Sequence, residues 1–151
     1  MSGLGELYQQ LIIDHNRHPR NTGALEDANR FASGDNPLCG DKIKLYLRVT
    51  NDVIEEVRFE GSGCAISQAS ASLMTTAVRG KSSADAMRLF KAFHGMVTSP
   101  PDAAPNAQAL GKLAAFAGVR TFPARVKCAN LAWHTLLRAA LQGEPQAVST
   151  E

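Results

Sequence analysis

The sequence lacks the features of membrane, secreted and nucleic-acid-binding proteins. None of its 151 residues belongs to an apolar stretch close to the ~20 residues that a membrane-spanning helix needs. Residues 1–8 contain no basic segment followed by a long apolar run, so we expect no secretory signal and a cytoplasmic location. The net charge is only +2 and no run of lysine or arginine occurs, so we expect neither nucleic acid nor a membrane as a partner.

Cysteine is also scarce. The three cysteines, Cys39, Cys64 and Cys128, are an odd number and cannot form a complete set of disulfides. Thiols stay reduced in the cytoplasm, which leaves packing residues, reactive thiols and metal ligands as alternatives. A single cysteine is most often a packing residue, so the surroundings of the three must decide. No glycine-rich phosphate loop with a lysine is present, which argues against an ATPase.

Hydrophobic periodicity predicts an α+β fold. Alternating apolar residues predict an antiparallel hairpin from 42–50 and 53–60, and a short edge strand is expected at 30–33. Helical spacing occurs on both sides of these strands. Three of the predicted helices cover 4–18, 107–116 and 123–141. Of the other two, one follows Cys64 and ends near Gly80, and the next begins at the capping residue Ser82. We therefore predict one domain at 1–143, with helices on one face of a small antiparallel sheet of about three strands, and a disordered tail at 144–151.

Cys39 and Asp41 flank Gly40 in a predicted loop just before the hairpin. Gly40 has no side chain to crowd its neighbours, so both flanking groups could face one ion. A thiolate and a carboxylate are both accepted zinc ligands. The sequence thus offers two candidate ligands within three residues.

The other two cysteines lie at the starts of predicted helices. Cys64 follows a glycine-rich strand end, and free backbone N–H groups at a helix start stabilise an anion. Cys128 has the cations Arg125 and Lys127 beside it, which predicts that its thiolate is favoured. Since the outer ends of an antiparallel hairpin are neighbours, Cys39 and Cys64 should meet at one end of the sheet, and the last helix must deliver Cys128.

Four stretches of the sequence are characteristic of a known family. They are residues 15–23 (H-N-R-H-P-R-N-T-G), 36–41 (N-P-L-C-G-D), 61–74 (G-S-G-C-A-I-S-Q-A-S-A-S-L-M) and 125–133 (R-V-K-C-A-N-L-A-W). With them the chain resembles the IscU-like (NifU N-terminal-like) iron–sulfur assembly proteins. The SufU-type branch is the better match for two reasons. Lys127 stands where scaffold-type members have histidine, and the segment between Cys64 and Cys128 is longer than in those members, with the extra chain near residues 80–105. Asn16 replaces an aromatic residue that is usual in relatives.

The resemblance implies an IscU/SufE-like fold, a zinc ion and a function. The zinc ligands would be Cys39, Asp41, Cys64 and Cys128. The protein would accept persulfide sulfur from a SufS-type cysteine desulfurase and pass it to downstream iron–sulfur scaffold proteins. We expect Cys39, on the most mobile loop, to be the sulfur acceptor and Arg125 to steer the thiolate and persulfide.

Two other functions remain open at this point. The same four residues could assemble a [2Fe–2S] cluster as a scaffold, or hold a purely structural zinc. Whether the protein counts as an enzyme depends on that choice. The four histidines are expected to be surface or hydrogen-bonded residues and not ligands.

Overall fold

The computed structural model describes residues 3–142 and 147–149, which fold into helices on one side of a β-sheet. The α-helices are α1 Gly3–Arg17, α2 Ala65–Val78, α3 Ser83–Val97, α4 Ala107–Leu110 and α5 Pro123–Gln142. A 3₁₀ helix, Gly111–Thr121, connects α4 to α5. The strands are β1 Arg30–Asn36, β2 Asp41–Thr50, β3 Val53–Ser62 and β4 Ala147–Ser149. Within this part of the chain, no helix has the length and apolar character needed to cross a membrane.

The sheet has the strand order β3-β2-β1-β4. β1, β2 and β3 are antiparallel neighbours, while β4 pairs in parallel with the outer edge of β1. Ile43, Leu45 and Leu47 are buried on one face of β2, whereas Lys42 and Lys44 are exposed on the other. This alternation means that the helices cover only one face of the sheet.

An aromatic cluster joins α3 to the C-terminal helix. Trp133 of α5 stacks on Phe93 of α3 with ring centroids 4.9 Å apart, and Phe116 meets Phe93 edge-on at 5.7 Å. All three side chains are fully buried. Within residues 80–105, α3 therefore contributes to the core that holds α5.

A single arginine holds the loop that follows α3. Arg120 Nη1 donates hydrogen bonds to the carbonyl oxygens of Ala103 (2.6 Å) and Pro100 (3.1 Å), and Nε donates to Ala117 O (2.7 Å). The planar guanidinium can satisfy several carbonyls at once because its donors are fixed in a fork. The loop is thus tied to the 3₁₀ helix.

The predicted α+β fold with helices on one sheet face is confirmed. β1 extends to Asn36, further than the predicted 30–33. The helix predicted over 107–116 is wrong beyond Leu110, because Gly111 adopts φ +55° and ends α4, after which the chain continues as a 3₁₀ helix. Of the predicted tail, 147–149 form β4, while 144–146, 150–151 and the predicted domain boundary at 143 lie outside the described residues.

Candidate metal centre

Four separate elements supply the predicted ligands at one end of the sheet. Cys39 lies in the loop between β1 and β2, and Asp41 is the first residue of β2. Cys64 is the N-cap of α2, directly after β3, and Cys128 lies early in α5. β2 and β3 bring the first three together, because Lys42 is paired with Ser62 in the antiparallel register.

The loop that carries Cys39 is a tight turn. The backbone N–H of Cys39 donates to the carbonyl oxygen of Asn36 (3.2 Å), with Pro37 in the second position of the turn. Gly40 adopts φ +71°, which reverses the chain into β2. The Cys39 thiol is consequently exposed to solvent on the rim of the site.

Asp41 is the buried anchor of the site. It is 0% exposed, and its Oδ1 accepts a hydrogen bond from the Cys64 backbone N–H at 2.8 Å. Gly63 makes this approach possible: it adopts φ +134°, and a Cβ on it would lie 2.7 Å from Asp41 Cα and closer still to Oδ1. The glycine before Cys64 is therefore required by the position of the carboxylate.

Cys64 caps α2 with its sulfur. The Sγ atom accepts a hydrogen bond from the Ser67 N–H at 3.4 Å, in the position that serine or aspartate usually occupies. The same sulfur lies 4.0 Å from Asp41 Oδ2. The helix start thus aims Cys64 at the site, as its place between strand and helix predicted.

Cys128 is the most buried of the thiols, with 1% of its surface exposed. Burial raises the pKa of the Cys128 thiol, and hydrogen bonds with Asp41, Cys39 and Cys64 raise this pKa further. The prediction that neighbouring cations favour its thiolate is therefore wrong for the protein without metal: Arg125 is exposed and lies over the Phe122 ring at 5.0 Å. Removal of the thiol from water outweighs the charge of Arg125, which remains on the surface.

The ligand atoms lie close to the spacing of a metal site. One ligand atom each from Cys39, Asp41 and Cys128 lies within 4.8 Å of the other two. Cys64 lies outside this group of three, with its Sγ 4.0 Å from Asp41 Oδ2. Zinc–ligand distances in a tetrahedral site place neighbouring donor atoms about 3.5–3.8 Å apart. Three sulfurs and one carboxylate oxygen are a donor set that suits Zn²⁺. These residues could thus hold a metal ion.

Other predicted residues have different surroundings. Arg125 lies in the first turn of α5, three residues before Cys128, and its predicted role is not tested by this geometry. His15 is buried and its Nδ1 lies 2.7 Å from Ser72 Oγ, in line with the expectation of a hydrogen-bonded histidine. Sequence reasoning missed Asn36 and Gly63, although both lie inside the stretches that predicted the family.

A comparison with protein families identifies the relatives of the chain. The model of the family described as the NifU-like N-terminal domain matches residues 7–129. The chain belongs to this family. The resemblance seen in the four sequence stretches is thereby confirmed, and all four predicted ligands lie inside the matched range.

Individual proteins are similar to most of the chain. The zinc-dependent sulfurtransferase SufU of Bacillus subtilis (strain 168) is 41% identical, with 95% of each chain covered. The iron–sulfur cluster assembly scaffold protein IscU of Streptococcus pyogenes serotype M1 is also 41% identical, covering 92% of this chain and 86% of that protein. A solved SUF-system protein from Fervidobacterium islandicum AW-1 has a TM-score of 0.81 at 34% identity, covering 93% of this chain and 99% of that one.

Proposed function

We propose that the protein is a zinc-dependent sulfurtransferase that accepts persulfide sulfur from a cysteine desulfurase and supplies it for iron–sulfur cluster assembly. The observation that carries this proposal is the unequal exposure of the three thiols. Cys39 is exposed, Cys64 is half-buried and Cys128 is buried around the same carboxylate. Such a site offers one sulfur to a partner and keeps the others as ligands. The similarity to the SufU of Bacillus subtilis supports the same function.

Zinc would be held by Cys39, Asp41, Cys64 and Cys128. The bound ion supplies positive charge that keeps the thiols deprotonated, and it has no redox chemistry of its own. This charge is needed most at Cys128, because burial raises the pKa of that thiol. Asp41 is buried beside these thiols and accepts a hydrogen bond from the Cys64 N–H, which holds its carboxylate at the site.

Cys39 is the thiol that can reach the persulfide of a desulfurase. Its thiolate attacks the outer sulfur of the partner's cysteine persulfide, and a new S–S bond forms on Cys39. The original S–S bond breaks, and its electron pair leaves with the partner cysteine as a thiolate. No external oxidant or reductant is consumed. Arg125, exposed three residues before Cys128, would steer the anionic partner sulfur toward the site.

Assembly of a [2Fe–2S] cluster on the same residues is a second candidate function. It is favoured by the similarity to the scaffold protein IscU of Streptococcus pyogenes. Cluster ligation uses the same thiolates as zinc. Full-length protein purified without added metal separates the two: zinc in a colourless protein supports the sulfurtransferase, and iron with sulfide in a red-brown protein supports the scaffold.

Sulfur acceptance is tested with the full-length protein, a SufS-type cysteine desulfurase and cysteine. We expect desulfurase turnover to rise and the peptide containing Cys39 to gain the mass of one sulfur atom. Cys39→Ser should lose both effects, whereas Ser62→Ala, a change at the exposed end of β3, should behave as the parent. A Cys39→Ser variant that accepts sulfur as fast as the parent would refute the assignment. If the parent protein does not raise desulfurase turnover, the zinc site is purely structural.

A further inference from the structure

Asn36 contacts three of the four candidate ligands. Its side-chain Nδ2 lies 3.4 Å from Asp41 Oδ2 and 3.6 Å from Cys128 Sγ, a distance at which sulfur still accepts a hydrogen bond. Its backbone carbonyl accepts from the N–H of Cys39. Asn36 is fully buried and directly opposite Asp41 in the β1–β2 register. One residue therefore connects β1, β2 and α5 at the site.

The orientation of this carboxamide is determined by its neighbours. Turning the amide over would place Oδ1 against the Asp41 carboxylate, an acceptor against an acceptor. With Nδ2 toward Asp41 and Cys128, Oδ1 is buried and has no hydrogen-bond partner among the described residues. An unpaired buried amide oxygen calls for an explanation, and the contacts of Nδ2 with Asp41 and Cys128 supply one for Asn36.

We propose that Asn36 is a positioning residue of the metal centre, whose Nδ2 holds the Asp41 carboxylate and the Cys128 sulfur together. This inference rests on the proposed zinc site. With metal bound, the Asp41 carboxylate and the Cys128 thiolate would face each other where both residues are buried, so their repulsion would be weakly screened. The N–H donor between them offsets this repulsion and sets the direction of both groups, as outer partners of metal ligands commonly do.

Cobalt(II) bound to the full-length protein reports on this role. In Asn36→Leu, which keeps the size and the backbone of the residue but removes the donor, we expect Co²⁺ and Zn²⁺ affinity to fall about 10- to 100-fold. A hydrogen bond to a thiolate withdraws electron density from the sulfur. Its loss should therefore shift the sulfur-to-cobalt charge-transfer absorption to longer wavelength in the cobalt-saturated variant.

Ser70→Ala is the matched control. Ser70 is also fully buried, and its Oγ donates to Ala129 O at 2.7 Å, beside Cys128 but without touching a candidate ligand. This variant should be less stable to urea and keep the parent absorption band. If Asn36→Leu also keeps the parent band and affinity, the inference about Asn36 is wrong while the zinc site stands. If the parent itself binds neither Co²⁺ nor Zn²⁺, the proposed function fails and this inference fails with it.

A measurement on the unaltered protein covers the case in which Asn36→Leu does not fold. In ¹⁵N-labelled protein, the side-chain NH₂ protons of Asn36 should shift and exchange more slowly when zinc is added, whereas those of exposed Asn16 should not change. An Asn36 amide that responds to zinc no more than that of Asn16 would overturn the proposal.

Discussion

Replacing Gly63 by alanine is expected to displace the Asp41 carboxylate and weaken both the fold and metal binding. A Cβ on Gly63 would lie 2.7 Å from Asp41 Cα and 3.0 Å from Asp41 Cγ, well inside van der Waals contact. The φ of +134° is also a conformation that residues other than glycine rarely adopt. Relief of the clash requires that β2 and the start of α2 move apart, which breaks the hydrogen bond from Cys64 N–H to Asp41.

The two effects can be given approximate sizes. Backbone strain of this kind costs about 1–3 kcal/mol, and a hydrogen bond to a charged group contributes about 1.5–3 kcal/mol. Their sum, about 2.5–6 kcal/mol, is a large part of the ~5–15 kcal/mol that stabilises an ordinary domain. We therefore expect Gly63→Ala to unfold at much lower urea concentration, and its zinc affinity to fall because Asp41 no longer faces the sulfurs.

Two other glycines separate strain from the clash with Asp41. Gly80 has φ +83° but open space where a Cβ would lie, so Gly80→Ala should be destabilised by about 1–2 kcal/mol with unchanged zinc affinity. Gly95 is helical and has open space, so Gly95→Ala should be stabilised by about 0.5–1 kcal/mol. Urea unfolding and competition for zinc with a chelator measure all three. Gly63→Ala with the zinc affinity and urea midpoint of Gly80→Ala would refute the reasoning.

Three further predictions concern a buried histidine, a helix cap and a loop. Burial lowers the pKa of His15, so the unfolded chain takes up a proton on this histidine at a higher pH than the folded chain does. The free energy of unfolding should therefore fall as the pH drops below about 6.5. His15→Asn should lose this part of the pH dependence of urea unfolding, and an unchanged dependence on pH would contradict the prediction. Without metal, Cys64→Ser should keep the cap of α2 and the parent urea midpoint, whereas the free energy of unfolding of Cys64→Ala should be lower by about 1 kcal/mol. Zinc affinity should fall in both variants. Equal urea midpoints for the serine and alanine variants would argue against a sulfur cap. Arg120→Ala should speed proteolysis of the loop at 99–105, whereas the exposed Arg88→Ala should not, and equal cleavage rates would disprove the anchoring role.

Much of the candidate site follows from local sequence patterns. Alternation over 42–50 and 53–60 predicts the hairpin, and antiparallel pairing then brings the loop of Cys39 close to Cys64, as the register of Lys42 with Ser62 shows. The glycines before Cys64 mark the change from strand to helix. Such features depend on residues a few positions apart, which is why sequence reasoning can reach them.

The site's electrostatics could not be predicted in the same way. Lys127 and Arg125 beside Cys128 in the sequence predict a favoured thiolate, but the folded chain buries that sulfur and the pKa of its thiol rises. Desolvation depends on what packs above a residue, and here that is the end of the sheet supplied by β1 and β2. A charge that is adjacent in sequence is therefore a poor guide to the pKa of a thiol that folding buries.

By itself, the sequence determined the α+β order of elements, the family and the four candidate ligands. Only the tertiary structure decided that Gly63 must lack a side chain beside Asp41, and that Asn36 links this carboxylate to Cys128, 92 positions away. Periodicity and motifs arise from neighbours along the chain, whereas close approach and burial arise when α5 packs across the sheet, and no local pattern encodes the distances that result.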